Sequence, residues 1–187
     1  MNSFKLIKSD YNRYKATGAK NPIKIIFFNQ GFIATFLIRI FSGMFFTTRK
    51  IFIVNKMVSF LCFLVLKMNQ LFTGISIPIG TKIGKGLYIS HIGTIIINNN
   101  AVIGDNCNLA PMIVVGWGKS NEKFGVPKIG NRVWIGPGAK IFGPITIGDE
   151  VAIGANAVIN KSIPNNAVVV GNNKIVNYNS SKDYIQY

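Results

Sequence analysis

The chain has 187 residues, of which 49% are hydrophobic and 14% charged, so a disordered chain is excluded and one folded core with a small additional region is expected. Twenty-one Lys and Arg against six Asp and Glu give a net charge of +15, which favours an acidic partner: anionic lipid, a phosphorylated cofactor, an acidic glycan or nucleic acid. Two isolated cysteines make no disulfide framework, and neither has a second Cys or a His at metal-ligand spacing.

The first 74 residues form a basic and apolar region with eleven basic residues and one acid, Asp10. Its opening segment lacks the apolar stretch and cleavage site of a signal peptide, which together with the cysteine content predicts the cytoplasm. Two helices are predicted, over about 22–46 and 50–72, and neither is a clear membrane span because charged residues interrupt both. Both are apolar on nearly all sides. These apolar faces are expected to contact either another subunit or, through residues 22–72, an anionic membrane surface. The second alternative would place the protein at the inner face of the membrane.

From residue 75 onward, aliphatic residues recur every six positions, a period that is neither helical nor that of a simple strand. Six residues make one short strand and one turn, and three such units return the chain to its starting direction. Asn and Gly supply turn conformations with positive φ, at 98–100, Asn106, Asn131 and Asn156. The sequence therefore predicts a mainly β protein, with a parallel β-helix over 75–171, a helical region over 1–74 and a tail over 172–187. The buried aliphatic column is predicted to contain Ile77, Ile83, Ile89, Ile97, Ile103, Leu109, Val115, Ile129, Ile135, Ile141, Ile147, Ile153 and Ile159.

The six-residue period of the aliphatic residues is interrupted twice. Eight residues separate Ile89 from Ile97, and the segment between them, SHIGT, contains the only histidine of the chain, His91. Fourteen residues separate Val115 from Ile129, which is interpreted as two repeats plus two extra residues. An insertion into a stack of coils must bulge outward, and loops on rigid scaffolds are where sites concentrate. Each bulge is a candidate functional loop, with a tolerated surface insertion as the alternative.

The segments IGKGLYISHIGTIIINNNAVIGDNCNLAPMIVVG and VPKIGNRVWIGPGAKIFGPITIGDEVAIGANAVINKSIPNNAVVVG resemble the hexapeptide-repeat acyltransferases. Within these, they are most similar to the serine acetyltransferase-like branch, which includes bacterial O-acetyltransferases of capsule, exopolysaccharide and lipopolysaccharide sugars. The resemblance covers residues 75–171. It implies a left-handed parallel β-helix that assembles as a homotrimer or a dimer of trimers, with acetyl-CoA in the groove between subunits and no metal.

The resemblance also implies roles for individual residues. His91 occupies the position of the general base, whose neutral imidazole takes the acceptor's proton during direct attack, without a covalent enzyme intermediate. Trp117 would form a platform for a sugar face or the pantetheine arm, or would only cap its own loop. Backbone contacts to the cofactor are implied at Gly118, Gly136, Gly138, Ala139, Gly154 and Ala155, and contacts to its phosphates at Lys140, Lys161 and Lys174.

Two departures from the serine acetyltransferase pattern bear on the base and on the acceptor. Ser76 and Ser90 stand where those enzymes carry Asp, so the imidazole would be oriented by one of these serines, a backbone carbonyl or Glu122 of a neighbouring subunit. Residues 125–128 read Gly-Val-Pro-Lys where those enzymes carry Arg-His-Pro-Lys, so a charged clamp for an amino acid is missing and a sugar hydroxyl is favoured. The short, basic and apolar N-terminal region favours the same acceptor, because serine acetyltransferases carry a longer helical domain there.

The resulting expectation is acetyl transfer from acetyl-CoA to a sugar hydroxyl of a bacterial surface polysaccharide or its lipid-linked precursor. Serine O-acetyltransferase is the alternative, and a non-catalytic solenoid that docks at the membrane is the second alternative. A γ-class carbonic anhydrase needs three histidines, and a nucleic-acid binder needs basic residues interleaved with exposed aromatics, so neither class fits the sequence.

Overall fold

The computed structural model describes residues 3–18, 21–120, 122–178 and 181–184. Three α-helices precede a parallel β-helix of about five turns. The helical elements are α1 (Ser3–Ala16), a π-helical turn (Lys24–Phe28), α2 (Gln30–Thr48), α3 (Phe52–Thr73) and a 3-10 turn (Ser181–Asp183).

The helical region differs from its prediction in two ways. Helix α1 was not predicted, and the helix expected over 22–46 is broken at Asn29, whose extended backbone separates the π-helical turn from α2. The break is stabilised because the Asn29 side-chain oxygen accepts a hydrogen bond from the Phe32 N–H (3.0 Å), which makes Asn29 the N-cap of α2. Helix α3 ends at Gly74, whose left-handed conformation (φ 74°) turns the chain into the first strand.

The β-helix consists of short strands, each followed by a turn. The strands are β1 (Ile75–Ser76), β2 (Lys82–Ile83), β3 (Tyr88–Ile89), β4 (Ile95–Ile97), β5 (Val102–Ile103), β6 (Asn108–Leu109), β7 (Ile113–Gly116), β8 (Gly118–Ser120), β9 (Lys123–Gly125), β10 (Lys128–Ile129), β11 (Trp134–Ile135), β12 (Lys140–Phe142), β13 (Thr146–Ile147), β14 (Ala152–Ile153), β15 (Val158–Ile159), β16 (Val168–Val170) and β17 (Lys174–Asn177).

Three parallel sheets form the sides of the prism. Sheet A contains β1, β4, β7, β12 and β15; sheet B contains β2, β5, β10 and β13; sheet C contains β3, β6, β11, β14 and β16. Strand β17 closes sheet C by pairing antiparallel with β16, and β8 and β9 form a separate hairpin. The sequence period is thereby confirmed as one strand and one turn per six residues, and the mainly β parallel solenoid is confirmed.

The predicted aliphatic column forms the interior. Every member is buried except Ile83, which is partly buried and packs against the others. Cys107 lies in the same core, and burial raises the pKa of its thiol to about 12. Asn106 and Asn156 have the predicted positive φ, whereas Asn131 and residues 98–100 do not. The Asn131 side-chain oxygen instead accepts a hydrogen bond from the Asp105 N–H (2.8 Å) one coil below. Stacked turns therefore bind one another through side-chain oxygens as well as backbone.

The second bulge is larger than the sequence suggested. Val115 pairs with Ile97 and Ile141 in sheet A, while Ile129 pairs with Ile103 in sheet B, so only one turn separates Val115 from Ile129. The corresponding step from Ile97 to Ile103 takes six residues, and the fourteen found here are therefore one repeat plus eight extra residues, not two repeats plus two. The interpretation of this bulge as two repeats plus two residues was wrong because a six-residue period alone does not show which sheet a strand joins.

The helices cap the open end of the solenoid. In a parallel stack the first coil has backbone groups with no coil below to pair with. Arg39 of α2 donates to the carbonyls of Ile83 (2.8 Å) and Gly84 (2.5 Å), and it forms an ion pair with Asp10 of α1 (2.9 Å). The Asp10 carboxylate also accepts from the Leu87 N–H (2.9 Å). Burial raises the pKa of the Asp10 carboxyl, and the adjacent Arg39 guanidinium opposes that rise.

A second capping contact lies at the end of the first coil. The Tyr14 hydroxyl donates to the Ile89 carbonyl (3.0 Å) and accepts from the Ile89 N–H (3.0 Å), so it replaces the strand that would precede β3 in a longer stack. Gly31 of α2 permits this contact, because a Cβ atom there would collide with the Ile89 carbonyl oxygen. A small aromatic cluster of Tyr14, Phe32 and Tyr88 surrounds the bond.

Only one side of α3 is covered by the rest of the chain. Helices α2 and α3 are each long and apolar enough to cross a bilayer by length and composition, with a mean hydropathy of 1.5 in each. One third (33%) of the α2 window is buried in the protein, against 11% of the α3 window. The prediction that these helices have more than one apolar face is thus confirmed for α3 within the described chain.

Replacing Gly31 by Ala should weaken the cap. An Ala in a helix interior normally adds about 1 kcal/mol of stability relative to Gly, but here the new Cβ meets the Ile89 backbone carbonyl and α2 must move away. We expect a lower midpoint of thermal unfolding, measured by scanning calorimetry. Gly43→Ala is the matched control, because its Cβ meets only the Ser3 side chain, which can rotate. Equal midpoints for the two variants would contradict the account of the cap.

Candidate functional site

The turns that lead from sheet C to sheet A stack into one edge of the prism, called here the C–A edge. These turns are residues 90–94, 110–112, 136–139 and 154–157. The β16–β17 turn, residues 171–173, continues the edge because Asn172 bridges to Val158 of sheet A. Backbone hydrogen bonds join successive turns, from Gly138 N–H to the Pro111 carbonyl (3.0 Å) and from Asn156 N–H to the Pro137 carbonyl (2.8 Å). Because coils repeat about every 4.8 Å, the edge extends over about 19 Å from its first turn to its last.

His91 lies in the first turn of the C–A edge and is exposed to solvent. The two extra residues of this turn are confirmed, since the equivalent steps from sheet C to sheet A elsewhere take six residues. The backbone is held on both sides of His91, by Ser90 N–H donating to the Leu109 carbonyl (3.2 Å) and Gly93 N–H donating to the Thr73 carbonyl (3.0 Å). The imidazole makes no hydrogen bond or ion pair with any described residue, which leaves both ring nitrogens available to ligands.

The two serines predicted to orient His91 lie on different sides of the prism. Ser76 is in β1 of sheet A, beside the α3 side chains Leu66 and Lys67 in a small cavity of about 240 Å³. Ser90 lines another cavity, of about 220 Å³, on the outer side of sheet C with Tyr88, Trp134 and Tyr184. Within the described chain neither serine is hydrogen-bonded to the imidazole. Their roles as orienting residues stay predictions.

Most of the residues predicted to contact acetyl-CoA share the C–A edge with His91. Gly136, Gly138 and Ala139 form its third turn, and Gly154 and Ala155 lie in its fourth. Gly136, Gly138 and Ala139 are buried, Gly154 is partly buried and Ala155 is exposed, so only the fourth turn offers accessible backbone to a ligand that binds through its amide groups. The structure therefore brings the candidate base and these candidate contacts to one edge of the prism, but it exposes only part of the set.

The three candidate phosphate-binding lysines have different surroundings. The Lys140 ammonium donates to the carbonyls of Met112 (2.7 Å) and Gly138 (2.9 Å), so it joins two turns of the C–A edge. Lys174 is exposed immediately after the last turn of that edge. Lys161 lies at a different edge, next to Lys119 and Ser120 of the β8–β9 hairpin. Lys174 is the one whose ammonium is both exposed and close to the C–A edge.

The β8–β9 hairpin lies at the edge where sheet A leads to sheet B, called here the A–B edge. Gly118 begins the hairpin and packs against Phe142, and the Ser120 hydroxyl donates to the Asn160 carbonyl (2.8 Å), so the hairpin extends toward the later coils. Trp117 stacks on Phe124 across the hairpin (centroids 4.8 Å apart, planes 10° apart) and both rings are exposed. Within one chain, Trp117 and Gly118 are thus separated from His91 by a whole face of the prism.

The chain's cysteines are unsuited to carry an acetyl group. Burial raises the pKa of the Cys62 thiol, as it does that of Cys107, and both side chains are inaccessible. A thiolate is the reactive form of cysteine. Among the described residues, no group of three or more His, Cys, Asp or Glu could hold a metal ion.

The sequence did not predict the residues of α1 and α2 that support the strand leading into the His91 turn. Tyr14 binds both backbone groups of Ile89, two residues before His91, and Gly31 lets α2 approach. One signal was available: Asp10 is the only acidic residue before Asp105, and a single acid in an apolar, basic segment suggests a buried ion pair. No comparable signal distinguished Tyr14.

Comparison with known proteins supports the fold and the broad class. Residues 127–161 match the family model described as bacterial transferase hexapeptide (six repeats). A serine acetyltransferase of Helicobacter pylori is 38% identical over 105 residues, which are 56% of this chain and 61% of that protein. One of Synechococcus elongatus is 29% identical over 171 residues, covering 90% of this chain and 66% of that protein.

A solved structure shows the same fold. The serine acetyltransferase of Brucella abortus strain S19, in complex with coenzyme A, aligns with a TM-score of 0.77 at 23% identity and covers 94% of this chain and 68% of that one. At this identity the likeness concerns the fold alone. The present chain spans about three fifths of the length of the Helicobacter pylori relative. The comparisons support a hexapeptide-repeat transferase with the acetyltransferase β-solenoid fold.

The expected polysaccharide acceptor is corrected by these comparisons. The matched relatives are named serine acetyltransferases, not polysaccharide O-acetyltransferases. The sugar acceptor was inferred from the missing charged clamp at 125–128 and from the short, basic and apolar N-terminal region. These two features carry less weight than similarity over 105 residues, and the glycan or lipid-linked acceptor is withdrawn.

Replacing Tyr14 by Phe should loosen the His91 turn. The variant leaves the Ile89 N–H and carbonyl without their partner in a fully buried position, which costs about 2 kcal/mol and lowers the thermal midpoint by about 4–8 °C. Tyr11→Phe is the matched control on the same helix, since the Tyr11 ring is only partly buried. If Tyr14→Phe unfolds at the same temperature as Tyr11→Phe, the Tyr14–Ile89 contact does not stabilise the turn.

Proposed function

We propose that this protein is an acetyl-CoA-dependent acyltransferase that acetylates the side-chain hydroxyl of serine. The observation that carries the proposal is the 38% identity over 105 residues to a serine acetyltransferase. An exposed histidine supports it, because His91 shares its edge with the accessible backbone at Gly154 and Ala155.

His91 is the general base in this proposal. Its neutral imidazole accepts the proton of the acceptor hydroxyl while the hydroxyl oxygen bonds to the acetyl carbon, and it returns that proton to the sulfur as the C–S bond breaks. Acetyl-CoA supplies the activated thioester. The exposed position of His91 and its free ring nitrogens suit this role, because a base must come within hydrogen-bond reach of its substrate. The buried cysteines support direct transfer without an acetylated cysteine.

The C–A edge is the proposed binding surface for acetyl-CoA. Gly154 and Ala155 offer backbone to the amides of the pantetheine arm, whereas Gly136, Gly138 and Ala139 are buried beneath the edge. Lys174, about 19 Å from the first turn along the edge, is placed to meet the phosphates. Lys140 contributes indirectly, because its two bonds to backbone carbonyls hold neighbouring turns of the edge together.

The complete site requires a second copy of the chain. Trp117, Gly118 and Lys161 lie at the A–B edge, away from His91, so they contribute only if the A–B edge of one subunit faces the C–A edge of the next. A threefold ring of prisms satisfies this condition, since each subunit then offers one edge to each neighbour. We therefore propose a homotrimer, which light scattering tests against the mass of one 20.6 kDa chain.

An acceptor assay tests the proposed function. Purified full-length protein is incubated with acetyl-CoA and one acceptor at a time, with release of free thiol as the readout and mass spectrometry of the product. We expect thiol release with L-serine and the appearance of O-acetylserine. Serinamide and D-serine are the controls for recognition of the carboxylate and of the configuration. Absence of turnover with L-serine would contradict the proposal.

Replacing His91 by Ala should abolish most of the activity. Loss of a general base lowers kcat/KM by about 10²–10⁴-fold, whereas the thermal midpoint should not change because the side chain is exposed and unbonded within the described chain. Thr146→Ala, at an exposed position on sheet B, is the matched control and should keep full activity. Full activity of His91→Ala with a verified acceptor would exclude His91 as the base.

Replacing Ala155 by Phe should block the proposed cofactor surface. Ala155 is exposed in the fourth turn of the C–A edge, so a Phe side chain there can extend into solvent without disturbing the fold. The ring would, however, cover the neighbouring backbone that acetyl-CoA is proposed to contact. We expect the KM for acetyl-CoA to rise at least about tenfold, or about 1.4 kcal/mol of lost binding, with the KM for L-serine unchanged. Thr146→Phe, exposed on sheet B, is the control. Equal KM values for acetyl-CoA in both variants would place the cofactor elsewhere.

A further inference from the structure

We propose that helix α3 docks on the surface of an anionic lipid bilayer and lies parallel to it. The proposal concerns a surface that acetyl transfer does not use, called here the α3 face. It is formed by the exposed apolar side chains of Phe52, Ile53, Val54, Met57, Phe60, Leu61, Phe63, Leu64, Met68, Leu71 and Phe72.

The α3 face is large because the rest of the chain covers little of the helix. Only Cys62, Asn69 and Thr73 are buried in 22 residues. The exposed apolar side chains include some of the most exposed in the chain, with Leu71 at 77% and Phe72 at 76%. Since each residue advances by about 100° around a helix, these side chains cover an arc of about 200°. A coiled-coil seam is narrower than this arc, whereas a helix embedded in a bilayer surface buries an arc of this width.

Basic side chains lie on one side of the α3 face. The Lys56 ammonium lies over the Phe52 ring (4.8 Å from the centroid) and the Lys67 ammonium over the Phe63 ring (5.9 Å). Both lysines lie within the first third of the apolar arc and extend along an aromatic neighbour, the arrangement by which lysines reach lipid headgroups. Arg49 and Lys50 are exposed directly before α3. No acidic residue occurs from 11 to 104, so the face has no internal counter-charge.

This charge favours lipid over a second copy of the chain. Two α3 faces packed together would bring Lys56 and Lys67 of each copy near those of the other, without an acidic residue to pair with them. An anionic bilayer supplies both requirements, hydrocarbon for the aromatic and aliphatic side chains and phosphates for the lysines. An orientation in which α3 spans the bilayer is disfavoured, because α3 packs along α2 and continues directly into β1 through Gly74. Spanning would require the side of α3 that contacts α2 to separate from the rest of the protein.

The test is co-sedimentation of the full-length protein with lipid vesicles. One set of vesicles is phosphatidylcholine with phosphatidylglycerol, and the other is phosphatidylcholine alone. We expect binding to the anionic set that weakens with added salt, and little binding to the neutral set. Two double variants probe the face: Ile53→Ser with Leu71→Ser removes exposed apolar area, and Lys56→Gln with Lys67→Gln removes charge.

The apolar variant should lower the partition coefficient at least about tenfold, and the charge variant about fivefold for each lysine. The matched controls make the same changes elsewhere, as Val158→Ser with Val176→Ser and as Lys82→Gln with Lys128→Gln, all exposed and outside α3. Both controls should bind like the parent chain. Acetyl transfer should be unchanged in all four variants, which separates this surface from the proposed active site.

Three results would overturn the proposal. The first is equal sedimentation with anionic and neutral vesicles, and the second is equal loss of binding in the α3 variants and their controls. The third combines two measurements: the parent chain does not bind vesicles, and light scattering without lipid shows a smaller particle for the apolar variant than for the parent chain. That outcome would assign the α3 face to contact between copies of the chain.

Discussion

A parallel solenoid must satisfy the backbone of its first coil, and the N-terminal helices of this protein are built around that requirement. Arg39 and Tyr14 bind the carbonyls of Ile83, Gly84 and Ile89, where a further coil would otherwise have to pair. Asp10 completes the set by holding Arg39 and accepting from Leu87. Unpaired backbone groups in such a buried place are costly. The cap therefore ends the stack and blocks the edge-to-edge association that an open sheet invites.

The same cap determines where the candidate base sits. His91 follows Ile89 by two residues, and its turn is bounded by bonds to Thr73 at the end of α3 and to Leu109 in the next coil. The turn is thus held by the cap on one side and by the solenoid on the other, although it has two residues more than a regular repeat. A surplus of two residues in an unsupported turn would be mobile, whereas catalysis needs the imidazole in one place. The cap supplies that restraint without touching the imidazole.

The repeats could be predicted in detail because their period is a direct expression of packing. Each buried aliphatic residue, such as Ile103 or Ile135, recurs where the coil returns to the interior. The capping contacts could not be predicted, because Tyr14 and Ile89 are 75 residues apart and nothing in the local pattern joins them. The second bulge was misjudged for a related reason: period alone does not tell which sheet a strand such as β10 joins, and only the pairing of Ile129 with Ile103 shows it.

The acceptor was predicted wrongly because the missing charged clamp at 125–128 was treated as if that segment alone decided which acceptor binds. Within one chain Gly125 ends β9 at the A–B edge, a whole face of the prism away from His91. A side chain that does not reach the base is weak evidence about which hydroxyl the base deprotonates. The identity shared with serine acetyltransferases is spread over 105 residues and depends on no single contact. A sequence difference from a related enzyme predicts a different acceptor only when the residue concerned is shown to contact the substrate. A substitution that makes no contact with the substrate leaves the discrimination between acceptors unchanged.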